Sequence, residues 1–270
     1  VYSQTIHNKH GGVVPELASR AHLEILQQIT KEALKESGVK LNEINLFSAT
    51  CGPGLIGGLL IGSTFTKSLS IGNSKPFIPI NHLEAHVLSS FYNNKIKFPH
   101  LSLLITGGHT QIYILKNYDD IKLIGETIDD AIGEAFDKVA KILGLSYPGG
   151  PEVEKKALEG DENTFQLPKP LINEDNFNFS FSGLKTSVNL IAKKNIINQS
   201  FVHDMCASFQ KCVGDILIVK LNRVIEELYK NNTKNSSVSV VGGVANNNYI
   251  KNYLKNIKEK EAIEFVYPSK

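Results

Sequence analysis

Arginine is almost missing from this chain. Arg20 and Arg223 are the only two among 29 basic residues, so contacts to phosphate would fall to lysine, and the bias toward Lys, Asn and Ile reads as genomic rather than functional. The net charge of +2 and the pI near 8.3 lie below the strongly basic range of about pI 9, and neither require nor exclude a nucleic-acid partner. Cysteine is equally sparse. Cys51, Cys206 and Cys212 are odd in number and lack CxxC spacing, which argues against a disulfide framework and for a reducing, cytoplasmic compartment. No apolar run approaches the ~20 residues that span a bilayer; the longest, Leu55 to Ile61, is broken by Gly57 and Gly58. The opening Val1-Tyr2-Ser3-Gln4 is polar, without a basic-then-apolar leader, so neither a signal nor a transit peptide is expected.

What remains is an ordinary globular composition, 41% hydrophobic and 21% charged over 270 residues, enough for one large domain or two lobes. A loop at Gly11 to Glu16 precedes a helical pattern from Leu17 to about Lys35, closed by Ser37-Gly38. Ile44 to Ala49 reads as a short buried strand. It runs into the glycine-rich turn from Thr50 to Gly62, ahead of a helix carrying Phe65, Leu69 and Ile71. Such a turn suits an anion, and equally suits close packing of the helix on a sheet. It is not a P-loop, because no Gly-Lys-Ser/Thr follows at the required distance.

Phe77 to Ile80 is the next strand, and Asn81-His82-Leu83-Glu84-Ala85-His86 starts a helix at its end. In a helix His82 and His86 share a face, their Cβ atoms roughly 5 to 6 Å apart, a spacing that suits a metal ion held at about 2 Å from each nitrogen. Two histidines on a polar helix face are more often plain surface residues. A zinc peptidase would need HExxH; here Glu84 lies two residues on, about 200° around the helix from His82, badly placed to activate a metal-bound water.

The polar stretch Asn93 to Pro99 is expected to mark the boundary between lobes. Beyond it, Leu101 to Thr106 and Gln111 to Leu115 form a hairpin around Gly107-Gly108, and Ile121 to Thr127 adds a third strand. Asp129-Asp130 is expected to cap a helix reaching Leu143 and Gly144. Its stripe of Asp130, Glu134, Asp137 and Lys138 is either solvated or a site wall beside the rigid turn Tyr147 to Pro151. Gly160 to Asn178 is irregular. A helix follows Phe179 to Thr186, and a long amphipathic helix runs from Val202 to about Lys230, broken by Asn231 to Ser237. Val238 to Val241 is a buried strand that turns through Gly242 to Asn247 into another helix, and Ile263 to Val266 is a last strand. Two sets of strand, glycine turn and helix could face a shared cleft and hold a phosphorylated or adenylylated small molecule.

These stretches together match a known family. SQxxHxxxGGVVPELASRxH at Ser3 to His22, GPGLxxGLxxG at Gly52 to Gly62, NHLEAH, TGGHTxxY at Thr106 to Tyr113, DDAxGEAFDKxAKxLGLxYPGGP at Asp129 to Pro151, SFSGLKT at Ser180 to Thr186 and VVGGVAxN at Val240 to Asn247 resemble the bacterial tRNA threonylcarbamoyladenosine synthase family, once taken for O-sialoglycoprotein endopeptidases. The resemblance covers essentially the whole chain. It implies an α/β, two-lobed actin-like ATPase (ASKHA, duplicated RNase H-like) fold, with lobe I at 1–98 and lobe II at 99–270, the latter carrying an irregular insertion at about 160–200. It implies an acyltransferase that moves a threonylcarbamoyl group from threonylcarbamoyl-AMP to N6 of the adenosine just 3′ of the anticodon, in tRNAs reading codons that begin with A.

Carried over by residue, His82 and His86 match the ligands of one divalent metal ion, Fe2+ or Zn2+. Ile105, Thr106, Gly107, Gly108 and His109 match the loop that holds the adenylate, while Asp137, Gly150 and Asn247 match its other contacts, Asp137 through ribose hydroxyls. No general base stands out. The implied partners are tRNA, a paralogous dimerisation subunit of the same fold and a small P-loop ATPase, with the adenylate made by a separate synthase and no role for a membrane. Lys185, Lys193 and Lys194 could touch tRNA, though solvated surface is the commoner fate of such lysines. Family members begin with an earlier strand and phosphate loop and continue into a CxDN segment whose aspartate is the third metal ligand. The chain is therefore expected to be truncated at both ends, lacking lobe I's first strands and the C-terminal return, with the third ligand beyond Lys270 and activity impaired. The rival functions are a zinc-dependent glycoprotein endopeptidase and a non-catalytic scaffold paralogue.

Overall fold

The structure is a computed structural model that describes residues 14–230, 237–255, 257 and 264–266. The expected loop at Gly11-Gly12, most of the break at Asn231 to Ser237, Ile263 and the ends of the chain lie outside the described residues. The chain divides into two compact units, Val1–Ala85 and His86–Lys270. This division falls inside a helix, upstream of the polar stretch Asn93 to Pro99.

In the first unit, α1 (Pro15–Ser37) starts with proline at its first positions and ends on Gly38 at φ 68, whose N–H donates to Lys35 O at 3.3 Å. Proline's fixed φ and glycine's access to the left-handed region make those two ends. The expected strand at Ile44 to Ala49 sits further on, as β1 (Phe47–Gly52), because Leu41–Glu43 winds into a 3-10 turn first. It pairs in parallel with β2 (Phe77–Asn81), Phe47 opposite Phe77. Between them α2 (Ile56–Gly72) begins well before the expected end of the glycine turn, so Gly57, Gly58 and Gly62 are helical. The reason is packing against α1. A Cβ on Gly57 would fall on Ser19 Oγ, and one on Gly58 would lie 3.8 Å from the His22 ring. Gly57 therefore serves helix-on-helix approach, and the surface both glycines meet is a helix rather than a sheet.

The second unit is built on a five-stranded mixed sheet of order β5-β4-β3-β6-β7: β3 (His100–Ile105), β4 (Thr110–Leu115), β5 (Ile121–Glu126), β6 (Ser237–Val241) and β7 (Glu264–Val266). β3, β4 and β5 form the expected antiparallel meander, while β3 with β6 and β6 with β7 are parallel. Leu101, Leu103, Ile105, Val238 and Val240 recur at every second position and so share one face of the sheet, in one buried cluster with Phe136, Phe209, Val213 and Leu217. Phe209 comes from α7 (Gln199–Lys230), which is buried on most sides up to Ile225 and so is a central helix rather than a one-faced amphipathic one.

Two further expectations change. The irregular stretch ends at Phe181, and the rest of 160–200 holds α6 (Ser182–Lys194) and the start of α7. Asp129-Asp130 does not cap α4 (Ile132–Ile142), whose N-cap is Ala131 without a side-chain bond; the Ile132 N–H donates to Thr110 Oγ1 at 2.8 Å instead. Asp129 reaches the start of α6. Its Oδ1 accepts from Phe181 N (2.8 Å) and Ser182 N (3.2 Å), and its Oδ2 from Ser180 Oγ (2.5 Å) and Ser182 Oγ (2.8 Å). A carboxylate distant in sequence thus satisfies the donors a helix start leaves open.

Candidate active site

Three loops meet at the ends of β3 and β6. The β3–β4 turn is closed by Thr106, whose N–H donates to His109 O at 2.8 Å and whose Oγ1 accepts from His109 N at 2.9 Å and Gly108 N at 3.3 Å. The Gly108 and His109 amides are therefore engaged within the turn, which leaves the Gly107 amide as its available donor. Two glycines let other elements close on this turn. A Cβ on Gly133 of α4 would lie 2.7 Å from Gly107 Cα and Thr106 O, and one on Gly242, at φ 99, would lie 2.8 Å from Thr106 Cγ2.

The second loop opens α5 (Gly149–Ala157). Asp137 Oδ1 accepts from Gly149 N at 2.7 Å, and α4 and α5 approach so closely that a Cβ on Gly149 would lie 2.6 Å from Ala140 Cβ and 2.8 Å from Asp137 Cα. Burial pushes the Asp137 carboxyl up; the Gly149 amide opposes this and the nearby Glu134 charge adds to it. With Gly149 N taken and Pro151 lacking a donor, the Gly150 amide is the first-turn donor left for an anion. The third loop follows β6 through a 3-10 turn at Gly243–Asn246 into α8 (Asn248–Lys255). Here Asn247 is 7% exposed. Its Oδ1 caps α8 by accepting from Ile250 N at 3.0 Å, and its Nδ2 donates to Gln210 Oε1 of α7 at 2.8 Å.

A cavity of about 290 Å³ lies between these loops, lined by Gly107, Asp137, Gly150 and Asn247 among others. Four of the eight expected substrate residues thus converge. Of the rest, Ile105 is fully buried under the turn, Thr106 holds the turn together, and Gly108 and His109 stand outside the lining. Tyr147, Glu154 and Gly243 also line the cavity. The rigid turn at Tyr147 to Pro151 signalled the first. Nothing in the sequence distinguished Glu154 from its solvated neighbours. The Asp130, Glu134 and Lys138 portion of the acidic stripe pairs with itself, Lys138 Nζ lying 2.6 Å from Asp130 and 2.7 Å from Glu134, so only Asp137 turns to the cavity.

The two histidines occupy α3 (His82–Leu88), started by Asn81 Oδ1, which accepts from Leu83 N at 2.9 Å and Glu84 N at 3.2 Å. His82 and His86 are half-buried, one turn apart, whereas Glu84 and Ala85 are exposed. The carboxylate therefore stands on the other side of the helix, the arrangement that disfavours a zinc-peptidase water. No group of three His, Cys, Asp or Glu placed to hold a metal ion occurs among the described residues. Lys193 and Lys194 are exposed and Lys185 half-buried. No described helix is long and apolar enough to cross a membrane.

Comparison with known proteins gives a consistent result. A profile of the tRNA N6-adenosine threonylcarbamoyltransferase family matches residues 1–270. Proteins of that name from Rickettsia massiliae and Brucella suis are 46% and 45% identical, over 99% and 97% of this chain and 79% and 74% of their own lengths. Among solved structures, HypF of T. kodakarensis superposes with a TM-score of 0.62 at 12% identity, over 90% of this chain and 40% of HypF. A second HypF, in a phosphate- and nucleotide-bound form, gives 0.60 at 14% identity over 90% of this chain and 46% of its own. That likeness shows a mixed α/β fold shared with HypF. The family resemblance read from the motifs is borne out: the chain belongs to the tRNA N6-adenosine threonylcarbamoyltransferase family.

Proposed function

We infer that this chain transfers a threonylcarbamoyl group from threonylcarbamoyl-AMP to N6 of the adenosine 3′ of the tRNA anticodon, and that the cavity of the second unit holds the adenylate. The observation that supports the second statement is the convergence of Gly107, Asp137, Gly150 and Asn247 on one cavity. The chemistry of that lining suits a nucleotide. Backbone amides of Gly107 and Gly150 would meet phosphate, the latter where the α5 dipole also favours negative charge. Asp137, fixed through one oxygen by Gly149 N, would accept ribose hydroxyls on the other. Asn247, whose side chain is engaged at both ends, would shape the pocket wall rather than reach for the ligand.

In the reaction the adenosine N6 forms a bond to the carbamoyl carbon, the bond from that carbon to the phosphate oxygen breaks, AMP leaves and N6 gives up a proton. AMP is a good leaving group, so positioning by these residues is the main demand on the protein. The imidazoles of α3 fit a borderline metal in donor type and spacing. His82 and His86 would hold a divalent ion, Fe2+ or Zn2+, which when bound polarises the carbamoyl carbonyl. The two-lobed, duplicated arrangement, with lobes at 1–98 and 99–270, and a cytoplasmic location belong to the same reading. So does a paralogous subunit, for which the exposed Leu23, Ile56, Leu60 and Ile71 of α1 and α2 offer an apolar surface.

Asp137→Ala tests the pocket. Mass spectrometry of nucleosides from a tRNA incubated with threonylcarbamoyl-AMP should show at least a hundredfold less threonylcarbamoyladenosine, with adenylate affinity falling in parallel. Wild-type adenylate affinity in the variant would overturn the assignment.

A further inference from the structure

We propose that a second cavity, which shares Glu154 with the adenylate pocket, takes a nucleobase of the RNA strand that carries the target adenosine. This inference rests on the family reading above. The cavity, about 510 Å³, lies among α5, α7 and α8, and Glu154 lines both it and the first one.

Its aromatic wall is prebuilt. Tyr249 and Tyr253, one turn apart on α8, stack with ring centroids 5.5 Å apart at 20°. Their hydroxyls leave this cavity and are fixed elsewhere: Tyr249 donates to Glu162 Oε2 at 2.8 Å and Tyr253 to Asp215. Burial and those carboxylate acceptors push both phenols up, so the rings stay neutral and held. Stacking on such rings tolerates any base, since every base offers a π face.

The polar lining suits a base edge and does not suit phosphate. Gln210, Asn248 and Asn252 bring carboxamides, Glu154 brings a carboxylate, and among the described residues no Lys, Arg or His lines the cavity. Single-stranded RNA is read by donors and acceptors of this kind on unstacked bases.

Gln210 carries the proposal furthest. It sits 1% exposed in the middle of α7. Its Oε1 accepts from Asn247 Nδ2, while its Nε2 has no acceptor among the described residues. That donor keeps access to the cavity it lines, and a ring nitrogen or carbonyl of a base entering the cavity would accept from it. The same side chain holds Asn247 at the wall of the first cavity. Glu154 Oε1 likewise accepts from Asn248 N at 2.8 Å and Asn248 Nδ2 at 2.9 Å. A base bound here would therefore firm the wall of the adenylate pocket, coupling RNA engagement to nucleotide grip.

The competing occupant is the adenine ring of the adenylate itself, and the experiment separates the two. Binding of a fluorescent seven-nucleotide anticodon-loop RNA to the full chain is followed by anisotropy, and binding of AMP by calorimetry. Ala157→Phe fills the second cavity, and Asn252→Asp, at an exposed position, adds charge without filling it. Both should weaken the RNA about tenfold, the scale of one lost base stack, with AMP affinity unchanged. RNA affinity equal to wild type in both variants, no RNA binding by the wild-type chain, or an AMP affinity that falls with the RNA overturns the proposal. Cavity-dependent RNA binding without threonylcarbamoyladenosine formation would instead overturn the proposed activity of this chain and leave the site standing.

Discussion

Protonation of His100 should set the acid limit of this fold. His100 opens β3 fully buried, its Nδ1 2.7 Å from Ser237 Oγ and its Nε2 2.8 Å from Ser239 Oγ on β6, with the Phe91 ring edge-on at 5.4 Å. Burial lowers its pKa from 6.5 to about 4, only partly opposed by a hydrogen bond to the Ser237 backbone, which favours the protonated ring. The unfolded chain therefore takes a proton on this histidine below pH 6.5, and the folded chain only below about 4. Between those values the unfolded state binds more protons, so stability falls as pH falls through the window and levels off beneath it. At about 1.4 kcal/mol per pH unit, the loss attributable to this side chain is roughly 3 kcal/mol, a large share of the 5–15 kcal/mol typical of a domain. Other groups titrate in the same range, so the comparison is with His100→Gln, whose amide can still bridge the two serines and cannot ionise. Urea unfolding at intervals from pH 4 to 8 should show wild type losing about 3 kcal/mol more than the variant between pH 6.5 and 4. Parallel curves for the two proteins, or a His100 proton resonance titrating near 6.5 in the folded state, would refute the reasoning.

Asp129→Ala removes four hydrogen bonds at the start of α6 and should cost about 2 kcal/mol, discounted for its exposed position, seen as a drop of several degrees in Tm. Burial pushes the Asp129 carboxyl up, but the bonds from Ser180, Phe181 and Ser182 outweigh it and hold the pKa below its ordinary value. Its contribution should therefore be present above pH ~4 and fade as acid protonates the folded carboxyl. Gly133→Ala drives a methyl into Thr106 O and Gly107, so the adenylate turn must shift. A KM for threonylcarbamoyl-AMP raised about tenfold, with Tm lowered by a few degrees for the strained contact, is the expected result. Gly57→Ala meets the Ser19 hydroxyl, a group that Ser19→Ala removes. The single variant should lose about 1 kcal/mol and the double variant should recover most of it, a coupling measurable by denaturant titration.

Much of the fold was legible because local signals agreed with tertiary ones. Pro15 and Gly38 bracket α1, and the meander of β3 to β5 follows from apolar runs around Gly107-Gly108. The misplaced elements share one physical cause. Ile44 to Leu46 is apolar enough for a strand, yet pairing starts at Phe47 because its partner Phe77 fixes the register. Asp129 has the local look of a cap for α4, but its donors arrive from Ser180 to Ser182, a contact no sequence window spans. Gln210 gave no periodic signal either. It is one of several polar residues that α7 buries, with His203, Ser208 and Lys220, and only its contact to Asn247 sets it apart.

The glycines show why motif matching and geometry must be read together. By sequence, Gly57, Gly58, Gly107 and Gly150 are alike: each sits in a short glycine-rich stretch beside another glycine. In the fold they diverge. Gly57 lets α1 close on α2, whereas Gly107 and Gly150 have open space where a Cβ would stand and line the cavity. Gly133, Gly149 and Gly242 form a third set, which lines up α4, α5 and β6 against the Thr106 turn so that Gly107 and Gly150 can face one ligand. Side chains at this third set would displace the backbone donors without touching the ligand. Their substitution should thus impair adenylate binding, though less severely than loss of Asp137, while substitution at Gly57 should leave it intact. It is this third set, tight against backbone and remote from solvent, that fixes the shape of the pocket.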